Sequence, residues 1–133
     1  MSIVQSFNVQ CTDGSCSYER VLPGNKIPDL VTSLDATIPQ PAMILIWRVG
    51  SEREIGIGLG REQTVITYQR SSEPPYFISQ GEESDDEVEW FYFGDEQNEY
   101  LTSNLVPKSK MLPVLGSFLR TEDDPDEIDW ETL

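Results

Sequence analysis

The chain has 133 residues, 38% of them hydrophobic, and a formal net charge of −15; it can build one self-stabilising core but is too acidic to bind nucleic acid or an anionic lipid surface directly. It contains no histidine, which excludes Ser–His, Cys–His and His–metal chemistry. Its longest apolar run, residues 42–47, is far shorter than the ~20 residues needed to span a bilayer, and residues 1–10 lack the basic-then-apolar pattern of a secretory signal, so the expected compartment is cytoplasmic.

In chain order, residues 2–10 and 15–21 read as strands around Asp13-Gly14, a two-residue hairpin signal. That turn sets Thr12 opposite Ser15 and Cys11 opposite Cys16, with Cα atoms ~4.5 Å apart and within reach of a disulfide. A reducing cytosol keeps both thiols reduced, and two small apolar residues in a hairpin are the simpler account. Ile27, Leu30, Val31 and Leu34 then follow the i, i+3, i+4, i+7 spacing of a short helix. Pro28 and Asp29 suit its first turn, and Pro39 and Pro41 stop it.

From Met43 the period is that of strands. Residues 43–49, 55–60 and 64–68 form an expected antiparallel meander, turning at Gly50-Ser51 and Arg61-Glu62. Residues 76–79 extend again, an acidic loop follows, and 88–93 is the most strand-like stretch, closed by Gly94-Asp95. Met111, Val114, Leu115, Phe118 and Leu119 give a second helix one apolar face. Pro113 places its start near Ser109 or Lys110. Ile128 and Trp130, at i, i+2, predict a last short strand. With no repeat and no linker, residues 1–133 read as a single α+β domain: a curved antiparallel sheet of about five to seven strands packed with two helices.

Three tempting chemistries fail on spacing. The alternation of glycine from Gly56 to Gly60 lacks the Lys-Ser or Lys-Thr of a phosphate loop and reads as a bent or closely packed strand. Asp123-Asp124-Pro125-Asp126 lacks the alternation and central glycine of a calcium loop, and no second cysteine pair completes a zinc site. The carboxylates lie in runs on expected loops, with little apolar sequence to raise a pKa as a glycosidase requires. No catalytic residue, cofactor or metal is expected.

The charge is unevenly placed. Residues 1–81 hold 8 acids and 6 bases, and residues 82–133 hold 16 acids and 3 bases. An acidic half of this kind attracts a basic protein and speeds its association. The acids concentrate in Glu82, Glu83, Asp85 and Asp86, in Asp95 and Glu96, and in Glu122, Asp123, Asp124 and Asp126. Among the aromatics at residues 90–93, Trp90 with Val88 and Tyr92 forms one strand face that a partner can reach.

Several segments together resemble the Imm1 family of immunity proteins from bacterial polymorphic-toxin and contact-dependent inhibition systems. They are the early amphipathic helix, the Gly58-Leu59-Gly60 strand end before another strand, and Ser79-Gln80-Gly81 ahead of an acidic loop and an aromatic strand ending in Gly94. Ser103 to Pro107 lead into the last helix, and Phe118-Leu119-Arg120-Thr121 runs on to Pro125 and a closing Trp130. Pro113 and the Cys11/Cys16 pair depart from the pattern. The resemblance implies a protein that binds a cognate toxin domain, often a nuclease or deaminase, and blocks it stoichiometrically. The partner is then basic, the free protein a monomer and the complex 1:1. The three acidic clusters and Trp90 are the candidate toxin-binding residues. The alternative is an acidic secretion chaperone gripping an extended segment of its client.

Overall fold

The computed structural model describes residues 5–12, 17–82 and 87–133. The first ladder pairs β1, Ser6–Thr12, with β2, Ser17–Pro23. Its register sets Cys11 opposite Tyr18 and Thr12 opposite Ser17, two residues away from the expected pairing of Cys11 with Cys16 and Thr12 with Ser15. The shift by two places Leu22 against Phe7 and Tyr18 against Cys11, matching apolar residues across the face that is buried. Asp13, Gly14 and Cys16 themselves lie outside the described residues.

Helix α1 spans Ile27–Thr37, with Pro28 in its first turn and Asp29 near its positive end. Helix α2 spans Met111–Arg120 and is preceded by a 3-10 turn at Lys108–Lys110. Pro113 therefore occupies the first helical turn, where its missing N–H breaks no helical bond.

The remaining strands are β3, Ala42–Arg48; β4, Glu54–Leu59; β5, Gln63–Thr64; β6, Ile66–Gln69; β7, Tyr76–Gln80; β8, Val88–Phe93; β9, Glu96–Leu101; β10, Val106–Pro107; and β11, Asp129–Thr132. Among the described residues nine strands form one sheet, more than the five to seven expected, and β5 pairs separately with β10. The main path runs β11-β7-β6-β4-β3-β1-β2 and is antiparallel throughout. The expected strand at 64–68 is broken at Val65. There the hydroxyl of Thr64 donates to Gly58 O at 2.7 Å, and Ser79 Oγ accepts the N–H of Ile66 at 3.0 Å.

The two faces of the sheet carry different cores. Alternate residues of β1, β3, β4 and β6 (Val9, Ile44, Ile46, Ile55, Ile57, Ile66) meet Ile27, Val31, Val114, Leu115 and Phe118 of the helices. On the opposite face a smaller cluster gathers Met43, Val65, Ile78, Phe91 and Leu105. This second cluster seats the β8–β9 hairpin. The hairpin joins the sheet beyond the end of β1, where β8 runs parallel to β3 and bridges it at one pair, Ala42 with Tyr92.

Candidate interaction surface

The β8–β9 hairpin is closed by Gly94 and Asp95, with Phe93 opposite Glu96. Gly94 has φ +64°, the first-position glycine of a two-residue turn whose twist suits a hairpin. Side chains alternate across it. Phe91 points inward, and its ring lies against Gly58, so the glycine alternation in β4 makes room for a ring rather than for a neighbouring backbone. Val88, Trp90 and Tyr92 share the other face with Leu101, Glu99 and Gln97.

Arg61 straps this hairpin to the sheet. Its Nε donates to Trp90 O at 2.9 Å, its Nη1 lies 3.1 Å from Glu89, and its guanidinium sits 4.8 Å from the Trp90 ring centre. Lys108 in turn donates to Arg61 O and pairs with Asp35 at 2.5 Å. Asp35 also accepts the Gly60 N–H at 2.8 Å. One side of Trp90 is thereby fixed, and Trp90 and Tyr92 stay half-buried in an edge-to-face contact at 5.5 Å. Val88 and Leu101, directly paired across the hairpin, are each 47% exposed.

The far end of the hairpin is anchored by a buried polar knot. Ser79 Oγ donates to Asn104 O at 2.6 Å, and Asn104 Nδ2 donates to Ser79 O and to Glu131, both at 3.0 Å. Gly81 N donates to Ser103 O at 2.7 Å. The Ser-x-Gly segment is thus structural, welding β7 to the chain leaving β9.

No protein-family model matches the chain, and no curated protein matches its sequence.

The three acidic clusters have different surroundings. Glu82 and Asp126 are exposed and line one cleft of about 420 Å³, with Glu127, Asp129 and Lys110. Asp95 and Glu96 are exposed at the hairpin tip, ~20 Å from the start of β8 at ~3.3 Å per residue. Glu122 pairs with Arg48. Asp123 has an exposed side chain, but its carbonyl accepts Arg53 Nη2 at 2.6 Å. Arg70 grips Asp124 through two nitrogens and holds its carboxyl below the ordinary aspartate range, against partial burial and with help from the Tyr68 hydroxyl at 3.0 Å. Glu83, Asp85 and Asp86 lie outside the described residues. Glu82 and Asp126 therefore keep their charge for solvent or a partner, whereas Glu122 and Asp124 spend theirs on Arg48 and Arg70.

Sequence reasoning missed Arg53 and Arg61. Arg53 is 8% exposed and donates to Tyr68 at 3.0 Å, to Phe118 O at 2.9 Å and to Asp123 O, with its guanidinium 4.4 Å from the Phe118 ring centre. It ties the start of β4 to the end of α2. Their available signal was scarcity, since the chain has only nine bases. Among the described residues no group of acids and cysteines is arranged to hold a metal ion, and no helix is long and apolar enough to cross a membrane.

Proposed function

We propose that this protein is an immunity protein: it binds a basic toxin domain one-to-one in the cytoplasm and occludes its working surface. The observation that carries the reading is the β8–β9 hairpin, where exposed Val88 and Leu101 and half-buried Trp90 and Tyr92 stand on an acid-rich stretch of chain whose one close base, Arg61, is already paired with Glu89. No lysine or arginine occurs between Arg70 and Lys108. A central apolar and aromatic patch with a charged border is the composition of an energetic hot spot inside a steering field. Its resemblance to immunity proteins in the segments around β4, β7, β8 and α2 supports the same reading, and an acidic partner surface fits a toxin that acts on nucleic acid.

Titration against the cognate toxin domain, sought first in the reading frame immediately upstream, tests this. Protection is expected to saturate at one molecule of this protein per toxin. Protection at a few per cent of that ratio means catalysis instead. A complex of two copies of this chain on an extended toxin segment, with toxin activity unaffected, means a secretion chaperone.

A further inference from the structure

We infer that the outer edge of β9 is a strand-docking site that takes an extended, lysine- or arginine-bearing segment of the partner as an added strand of the sheet. This deepens the proposed function and rests on it for the identity of the partner.

The geometry fixes which backbone groups are on offer. Thr102 N donates to Glu87 O at 2.9 Å, continuing the β8–β9 register by one pair. Hydrogen-bonded and non-hydrogen-bonded pairs alternate in an antiparallel ladder. Tyr100, Asn98 and Glu96 are therefore bonded to β8, while Leu101, Glu99 and Gln97 turn their N–H and C=O groups outward. The β8 side agrees independently: Tyr92 N donates away from β9 to Pro41 O at 2.8 Å, and Trp90 O accepts from Arg61. Among the described residues β9 pairs with β8 alone. It thus presents three donors and three acceptors in a row, the template an incoming strand needs.

Charge selects the occupant. Glu96 and Glu99 lie on this strand, Glu87, Glu89 and Asp95 adjoin it, and the nearest base, Arg61, is already paired with Glu89. A second copy of β9 paired about the centre of its outward groups would set Glu99 against Glu99, and in any register it would bring two acidic strands together, which disfavours self-pairing. Side chains alternate, so lysines or arginines at every second position of an extended segment meet the face of Glu96, Glu89 and Glu87, while the apolar residues between them lie on the face of Leu101 and Val88. The outer edge of β2 offers no such sign, because Glu19 and Arg20 cancel there.

The experiment uses the full chain and an acetylated eight-residue peptide of alternating lysine and valine. Binding is expected to slow hydrogen exchange at the Gln97, Glu99 and Leu101 amides by at least about tenfold. N-methylating alternate residues of the peptide, which preserves its charge and side chains, should weaken binding by about tenfold or more. Glu99→Pro removes one outward donor without touching the β8–β9 ladder and should weaken binding comparably at unchanged thermal stability. Unaltered exchange at the three amides, equal binding of the N-methylated peptide, no binding at millimolar peptide, or dimerisation of the chain through this edge each overturns the inference. Undiminished binding of the cognate toxin by Glu99→Pro also overturns it, while leaving the immunity reading intact. Peptide addition at β9 without any binding of that toxin supports the edge and removes the immunity reading.

Discussion

The ring of Phe91 fills the space in which a side chain at Gly58 would begin. A Cβ built on Gly58 would stand 2.7 Å from Phe91 Cε1 and 2.9 Å from Cζ. One residue of the sheet is thus kept bare so that one ring of the hairpin can sit on it. Gly58→Ala is expected to destabilise the protein by about 1–3 kcal/mol through overpacking. Adding Phe91→Leu should recover part of that loss, although Phe91→Leu alone is destabilising. Urea unfolding of the two single variants and the double variant checks this, and a neutral Gly58→Ala refutes it.

Arg53 supplies a second stability prediction. Removing it leaves Phe118 O and Asp123 O without their donor, at about 1–3 kcal/mol for each acceptor that stays buried. Arg53→Met should therefore be strongly destabilising. Arg53→Lys should recover only part, because a single ammonium cannot reproduce a planar fork reaching three acceptors and stacking on Phe118. Thermal denaturation should rank wild type above lysine and lysine above methionine.

Acid sensitivity should divide between two carboxylates of opposite sign. Arg70 lowers the pKa of Asp124, so its contribution is fully present above the unfolded aspartate value of ~3.9 and is lost as pH falls through the depressed folded value. Asp124→Asn removes this acid-labile part, which is small for so exposed a pair. Burial raises the pKa of Glu54, so its contribution is present below the unfolded value and is lost as pH rises through the folded one. Glu54→Gln is expected to be more stable than wild type at neutral pH and to lose that advantage in acid. Equal pH profiles for all three proteins contradict both assignments.

The acidic clusters should differ in kind under charge neutralisation. Glu82→Gln with Asp126→Asn, or Asp95→Asn with Glu96→Gln, should slow toxin association and flatten its salt dependence at constant thermal stability. Glu122→Gln with Asp124→Asn should do the reverse, lowering stability while barely changing the association rate. Stopped-flow binding at low and high salt, beside thermal melts, separates the two behaviours. Salt-independent association of every variant means that the acids only solvate the chain.

Much of this fold is readable from periodicity, and its gaps have physical causes. The helices announce themselves at Ile27–Leu34 and Met111–Leu119 because single apolar stripes face one core. Strand β9 does not, since Glu96, Gln97, Asn98 and Glu99 are poor strand formers that pair only because Gly94-Asp95 folds them back on β8. The first hairpin misleads in the other direction, because the register read from Asp13-Gly14 differs by two from the one that matches Phe7 with Leu22. At the candidate surface, composition locates the acids but not their pairing. Arg48 and Arg70 reach Glu122 and Asp124 across more than fifty residues of chain, and no local pattern records contacts of that separation.

The hairpin's attachment has a consequence for how such a protein diversifies. β8 pairs with β3 at a single residue pair, Ala42 with Tyr92, and the hairpin is otherwise held by the Tyr92 N–Pro41 O bond, by Phe91 in the second core, by Arg61 and by the Ser79–Asn104 knot. Gln97, Glu99, Leu101 and Val88 contribute nothing to either core. Mutations there escape the stability filter that purges most substitutions. A lineage can therefore exchange these side chains one at a time, each intermediate still folded, while the scaffold beneath stays fixed.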